Sequence, residues 1–194
     1  MKTAKIHLST RDQILDSAQF LLQHYGYNAF SFDDIAKKVG IKKPSIHHHF
    51  ASKALLGVEV IKRYREQFNM VLQSISEKHS DALTRLEDYI QLFVKTYKEE
   101  RKFCLCGMLG AEIDSLPDIL ADEITLFFKL NQRWLAKILQ QGLDDGSFHF
   151  KDKPQQRALH LLASLEGAMV VGRALKSETL MNQVGKAILL DLAA

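Results

Sequence analysis

Cysteine, proline and glycine are scarce in this chain, and long apolar runs are missing. Of its 194 residues, two are cysteine, three proline and ten glycine. Two thiols, Cys104 and Cys106, cannot form the disulfide framework of a small secreted domain. They suit a reducing compartment, and a cytoplasmic location is expected. A chain of this length buries a core without such staples. Few prolines and glycines argue against an all-β sandwich or barrel, which needs many tight turns. No apolar stretch reaches the ~18 residues of a membrane span, so no membrane partner is expected. Residues 1–10 are polar and lack the apolar centre of a secretory signal. No P-loop, Gly-rich dinucleotide loop, nucleophile–base constellation or metal-ligand spacing occurs. Neither an enzyme nor a cofactor is therefore expected.

Charge of one sign is also lacking as a total: 26 basic against 23 acidic residues give +3. The distribution is uneven. Up to Arg63 there are ten basic and five acidic residues, a net +5, leaving 16 basic and 18 acidic, or −2, for the rest. Such asymmetry points to an anion-binding module at one end, or to a merely basic surface.

What is present is helical period almost throughout. Ile14, Leu15, Ala18, Leu21, Leu22 and Tyr25 recur at steps of three and four, and Gly26 stops that helix. Ser31 with Asp34 forms a capping-box pattern ahead of Ile35, Ala36 and Val39. Gly40 ends this short helix. A second short one follows Lys42, with Pro44 tolerated in its first turn. Ser52 then caps a long helix striped by Val58, Ile61, Phe68, Leu72 and Ile75. Further helices are marked by Leu83 to Tyr97, Cys104 to Ile113, Ile124 to Leu139 (closing near Gly146), Asp152 with Pro154 to about Leu175, and Glu178 to about Leu192. No period-two alternation or Asn-Gly hairpin occurs.

Residues 31–50 place two helices of about eight residues around a turn at Val39-Gly40-Ile41. Ile35, Val39, Ile46 and Phe50 pack inward and leave Lys42, Lys43, Ser45, His47 and His48 outside. That is what a helix-turn-helix requires: one helix braces and the next offers its N-terminal polar face to a major groove. Together with Ile14-Leu15-Asp16-Ser17-Ala18, Tyr25-Gly26-Tyr27 and His48-His49-Phe50 followed by Ser52-Lys53, this stretch resembles the DNA-binding domain of TetR-family transcriptional regulators. Cys104 to Glu112 and Leu165-Glu166-Gly167-Ala168 resemble parts of one ligand-domain subgroup.

The resemblance implies an all-α fold: a three-helix DNA-binding domain over 1–52, joined by a continuous helix to an effector-binding and dimerisation domain over 53–194. It implies a dimeric repressor on a double-stranded DNA operator, released by a small-molecule effector. Two residues depart from the family pattern. Lys42 stands where a Ser or Thr cap is usual, and His47 replaces the usual Tyr.

Ser31, Lys42, Lys43, Pro44, Ser45, His47, His48 and Lys53 are the expected DNA-binding residues. Lys43, Ser45 and His48 face the groove, where Lys suits guanine O6/N7. His47 and Lys53 fall to phosphates, which position the protein but carry no sequence information. Consecutive histidines on a helix point about 100° apart and cannot converge on one metal ion.

Effector-binding residues are expected among the middle helices, at Phe68, Phe93, Tyr97, Met108, Glu112, Phe127, Trp134 and Glu166, as apolar walls with a few polar anchors. Glu166 interrupts an apolar run, and its partner is a ligand amine, a dimer contact or a hydroxyl. Cys104 and Cys106 point about 200° apart and cannot pair with each other. They act as small core residues, or as a thiol sensor or inter-subunit bridge. The last two helices are the expected dimer interface, a four-helix bundle through Ala163, Ser164, Gly167, Ala168, Gly172, Leu180, Val184 and Ile188. A redox- or partner-responsive regulator and an activator are the alternatives.

Overall fold

A computed structural model describes residues 9–99 and 102–193; Lys2 and Lys5, counted in the basic charge, and most of the polar 1–10 stretch lie outside the described residues. The described residues form nine α-helices and no strand. These are α1 (Thr10–Tyr25), α2 (Phe32–Val39), α3 (Lys43–His49), α4 (Lys53–Lys78), α5 (Ala82–Lys98), α6 (Leu105–Gly110), α7 (Asp118–Asp144), α8 (Pro154–Ala174) and α9 (Leu180–Ala193).

Local chemistry sets most of the helix ends. Ser9 Oγ accepts from the Asp12 amide at 3.1 Å, Ser52 Oγ from Leu55 at 3.2 Å and Asp81 from Thr84 at 2.7 Å. Each satisfies one of the amides that a helix start leaves without an internal partner. The backbone turns left-handed after α1 at Gly26 (φ 84°) and after α2 at Gly40 (φ 79°), a region that favours glycine.

Helices α1–α3 pack around the fully buried Ile14, Leu22, Ile35 and Ile46. The start of α4 belongs to this head as well, through Arg11–Glu59 at 2.6 Å and Arg63–Asp16 at 2.8 Å. Farther along, α4 lies against α7, and α7, α8 and α9 pack in succession.

At the centre of the body Tyr89 stacks on Trp134 with ring centroids 5.5 Å apart. Its hydroxyl donates to Asn131 Oδ1 at 2.8 Å, and Asn131 Nδ2 donates to the Phe127 carbonyl at 2.9 Å. That chain satisfies a wholly buried amide.

Several boundaries differ from the periodicity. The expected helix from Cys104 to Ile113 is the six-residue α6 followed by a 3₁₀ turn at Ile113–Ser115. Lys153 rather than Asp152 is the N-cap of α8, and Asp152 pairs with Arg157 at 3.0 Å. The last helix starts at Leu180, not Glu178, and Ser177 Oγ accepts from the Leu180 amide at 3.2 Å. Tyr25 and Leu83 are exposed despite their places on apolar stripes.

Candidate nucleic-acid interface and its link to the helical body

The outward face of α3 is built on one buried anchor. Ile46 is 0% exposed, whereas Lys42, Lys43, Pro44, Ser45, His47 and His48 are all exposed. The first turn of α3 holds no acidic residue, and its N-cap, Lys42, makes no side-chain cap. Pro44 has no amide hydrogen and the Ser45 amide donates to the Lys42 carbonyl at 2.9 Å, so what this helix start offers a phosphate is chiefly the positive charge of Lys42 and Lys43.

Lys43 pairs with Asp33 at 2.7 Å. Both side chains are largely exposed, so that pair is worth about 0–1 kcal/mol and yields readily to a base edge. His47 lies edge-on to Phe32, centroids 4.9 Å apart, in the place of the family's tyrosine. Ser31 is occupied locally: its amide and hydroxyl both donate to Asp34 Oδ2 at 2.7 Å, which holds that carboxyl below its usual range.

Lys53 departs from the expectation. Its Nζ donates to the Phe30 carbonyl and sits 4.5 Å from the Tyr27 ring centroid and 4.3 Å from that of Phe30. Burial lowers its pKa, opposed by the nearby Glu112 and Asp34 carboxylates. The ammonium thus faces inward and braces the loop before α2, instead of standing free for a phosphate.

The C-terminal end of α1 is tied to the body by four contacts. Glu112, expected in the effector pocket, accepts from the Tyr27 amide at 2.6 Å. Gln23 Nε2 donates to the Phe103 carbonyl at 2.8 Å. Arg173 Nη2 donates to the His24 carbonyl at 3.0 Å while its guanidinium covers the Phe103 ring at 4.7 Å. Asn28 Nδ2 donates to Ser115 Oγ at 2.9 Å.

Inside the body a small cavity is lined by Tyr64, Phe68, Leu92, Phe93, Thr96, Cys104 and Met169, with room of about 10 Å³. An outer groove of about 240 Å³ shares Tyr64, Phe68, Leu92 and Thr96 with it and is edged by Gln19, Gln67, Val71, Lys95 and Glu99. Of the expected effector residues, Phe68 and Phe93 line the cavity. The others do not. Tyr97 donates to the Ser177 carbonyl at 2.9 Å and so holds the α8–α9 loop. Phe127 packs in an aromatic cluster with Tyr64 and Phe68, and Trp134 Nε1 donates to Ser76 Oγ at 3.0 Å. Met108 is only half-buried on α6. Glu166 lies behind the cavity, its carboxylate pressed against Gly107 of α6.

Tyr64, Leu92, Thr96 and Met169 were missed by sequence reasoning. The signal was there: Tyr64 with Phe68 and Leu92 with Thr96 stand four apart, placing hydroxyls on otherwise apolar faces.

Cys104 and Cys106 are buried, and burial next to the Glu166 carboxylate pushes both thiols well up. A thiol so placed is a poor nucleophile. Among the described residues no group of three or more His, Cys, Asp or Glu side chains is placed to hold a metal ion. Nor is any helix among them long and apolar enough to cross a membrane.

The expected dimer residues divide between two faces. Ala168, Gly172 and Ile188 are buried within the protomer, and Gly172 has the Tyr97 hydroxyl 3.1 Å from where a Cβ would stand. They are closed to a second chain, which corrects their assignment. Ala163 and Gly167 are exposed, Ser164, Leu180 and Val184 half-buried. On α8, Ala163 and Gly167 with Leu159 (50% exposed), Val170 (57%) and Val171 (49%) leave an apolar strip facing outward, while Leu180 and Val184 lie on α9.

Comparison with known proteins places this geometry among regulators. Residues 14–60 match the sequence family described as bacterial regulatory proteins, tetR family, and residues 82–188 match the tetracyclin repressor-like C-terminal domain. The HTH-type negative transcriptional regulator of the biofilm operon icaADBC, IcaR of Staphylococcus aureus, is 32% identical over 130 residues, covering 61% of this chain and 69% of that one. A TetR-family transcriptional regulator from Agrobacterium tumefaciens superposes with a TM-score of 0.92 at 30% identity, over 95% of this chain and 97% of that one. A TetR transcriptional regulator from Legionella pneumophila gives 0.89 at 32% identity, over 97% and 100%.

Proposed function

The chain belongs to the tetR family of bacterial regulatory proteins and is a DNA-binding transcriptional regulator, not an enzyme, and from that premise we propose that it is a homodimeric repressor freed from its operator by a small-molecule effector. In this reading residues 1–52 read DNA and residues 53–194 bind effector and partner. The observation that carries it is the α3 face: one buried isoleucine fixes the helix, and every polar residue around it points outward.

Lys43, Ser45 and His48 reach base edges, while Lys42 and Pro44 at the helix start and His47 in its last turn lie near phosphates. The apolar strip on α8 supports a two-fold partner, because a monomer gains nothing by exposing valines there. Two-fold symmetry in turn calls for a near-palindromic operator with half-sites about 34–36 Å apart.

Release follows from the four ties at the end of α1. A ligand wedged behind Cys104 and Met169 shifts α6 or α8, and Glu112, Phe103 and Arg173 carry that shift to residues 23–28. The redox alternative gains no support from two buried thiols whose pKa values are raised. The test is a mobility shift on the DNA upstream of the coding region, repeated with metabolites extracted from the host. Retarded DNA that the extract frees supports the reading, and retardation indifferent to every fraction contradicts effector release.

A further inference from the structure

Glu166 is half-buried as a residue, with its carboxyl turned into the body. Its Oε1 is closed to solvent and, among the described residues, has no hydrogen-bond partner. Among the described residues, Tyr64, Tyr89, Cys104 and Cys106 feel its charge, and none of these is cationic. The guanidinium near Cys106, Arg65, is held by Glu123 at 3.1 Å. A buried carboxylate with no counter-charge is expensive, and such groups are normally paired.

Two further observations give the missing partner a place and a shape. Cys104, whose thiol feels the nearby Glu166 carboxylate and accepts from the Tyr64 hydroxyl at 3.8 Å, is also a wall of the small cavity. The other walls include the Tyr64, Phe68 and Phe93 rings, and aromatic faces attract cations. Room of about 10 Å³ takes roughly one water-sized group, so only a ligand's head fits there. The outer groove, which shares four of its residues, has the room for the remainder.

We propose that the effector is a small organic monocation, an amine in its ammonium form, whose head enters the cavity beside Cys104 and whose counter-charge is the Glu166 carboxylate. The proposal rests on the effector reading above and deepens it. It requires one movement: the Cys104 thiol turns away from the carboxylate as the ammonium arrives. Burial raises the Glu166 pKa to about 7, so near neutrality the carboxyl releases its proton to solvent at little cost as the cation takes its place.

Titration calorimetry on the full chain tests this with benzylammonium and its neutral isostere benzyl alcohol. Saturable binding of the ammonium is expected, tighter than the alcohol by about tenfold or more. E166Q removes that preference and leaves the alcohol unchanged. The ammonium affinity of the native chain also climbs between about pH 6 and 8 as Glu166 ionises, a slope absent in E166Q. Tyr64, Tyr89, Cys104 and Cys106 do not supply it, since burial drives their pKa values upward, out of that window. Equal affinity for the alcohol, a flat pH profile, or no saturable binding at millimolar ammonium overturns the proposal. Should E166Q fail to fold, the native cation–alcohol comparison and pH profile still decide. Operator release is scored separately: an ammonium that binds but frees no DNA overturns the effector reading and not the chemistry of the site.

Discussion

The Glu112 carboxylate accepts the backbone amide of Tyr27 at 2.6 Å, so the 3₁₀ turn after α6 holds the exit of α1. Gly26, immediately before, makes the contact possible. Its φ of 84° suits glycine, and a Cβ there would run into the Glu112 carboxylate. This carboxylate is one of the four ties between the end of α1 and the body. E112A is expected to lose a charge-assisted hydrogen bond and about 1–2 kcal/mol of stability. G26A combines backbone strain with the collision and loses about as much or more. Thermal melts check both. If both variants melt with the native chain, Glu112 is not a strut.

Lys53 faces inward, so K53A is expected to lower stability and leave the salt dependence of operator affinity unaltered. K42A, which removes an exposed charge at the start of α3, flattens that dependence by about one unit on the log–log slope. Affinities measured over a salt series separate the two. A flattened slope in K53A places its ammonium on a phosphate after all.

The buried Glu166 makes stability depend on pH in a stated direction. Its folded pKa of about 7 lies above the ordinary 4.5, so between those values the folded chain holds a proton that the unfolded chain has lost. Folding stability therefore falls as pH rises through this window, by up to about 3 kcal/mol, and levels off above about pH 7. E166Q removes the decline. Urea unfolding across the window is the check, and parallel curves for both chains refute it.

Mild oxidant is expected to leave operator binding unchanged, because both thiols are buried and their pKa values raised. Binding assays before and after peroxide, with C104S and C106S as controls, measure this. A loss of binding that C104S or C106S prevents restores the sensor reading.

V170E puts a charge on the exposed strip of α8 and is expected to give a monomer with weakened operator binding and an unaltered fold. Light scattering and circular dichroism check it. An intact dimer moves the interface elsewhere.

The parts of this fold legible in the sequence are those set by neighbours a few residues apart. Ser31 with Asp34, Gly26, Gly40, Pro44 and Ser52 each act within one turn of helix, and the structure finds each in the expected local role. What escaped depends on contacts far along the chain. Nothing near Lys53 in sequence signals that the Phe30 carbonyl will take its ammonium. Glu112 and Tyr97 read as pocket anchors because they are polar among apolar residues, yet their partners, Tyr27 and Ser177, lie 85 and 80 residues away. On α8 nearly every face is apolar, so spacing alone does not separate Ala168 and Gly172, turned to the core, from Val170 and Val171, turned outward. Glu166 was conspicuous in sequence as a break in that run, and the structure leaves one of its oxygens without a partner.

The central claim, that α3 reads a two-fold operator, is tested most directly by selecting bound duplexes from a random pool with the native chain and with K43A. The account predicts an enriched near-palindrome for the native chain, its half-sites about one helical turn apart. K43A, melting like the native chain, should relax preference at one position in each half-site. An unenriched pool, or the same preference at every position from K43A, contradicts it.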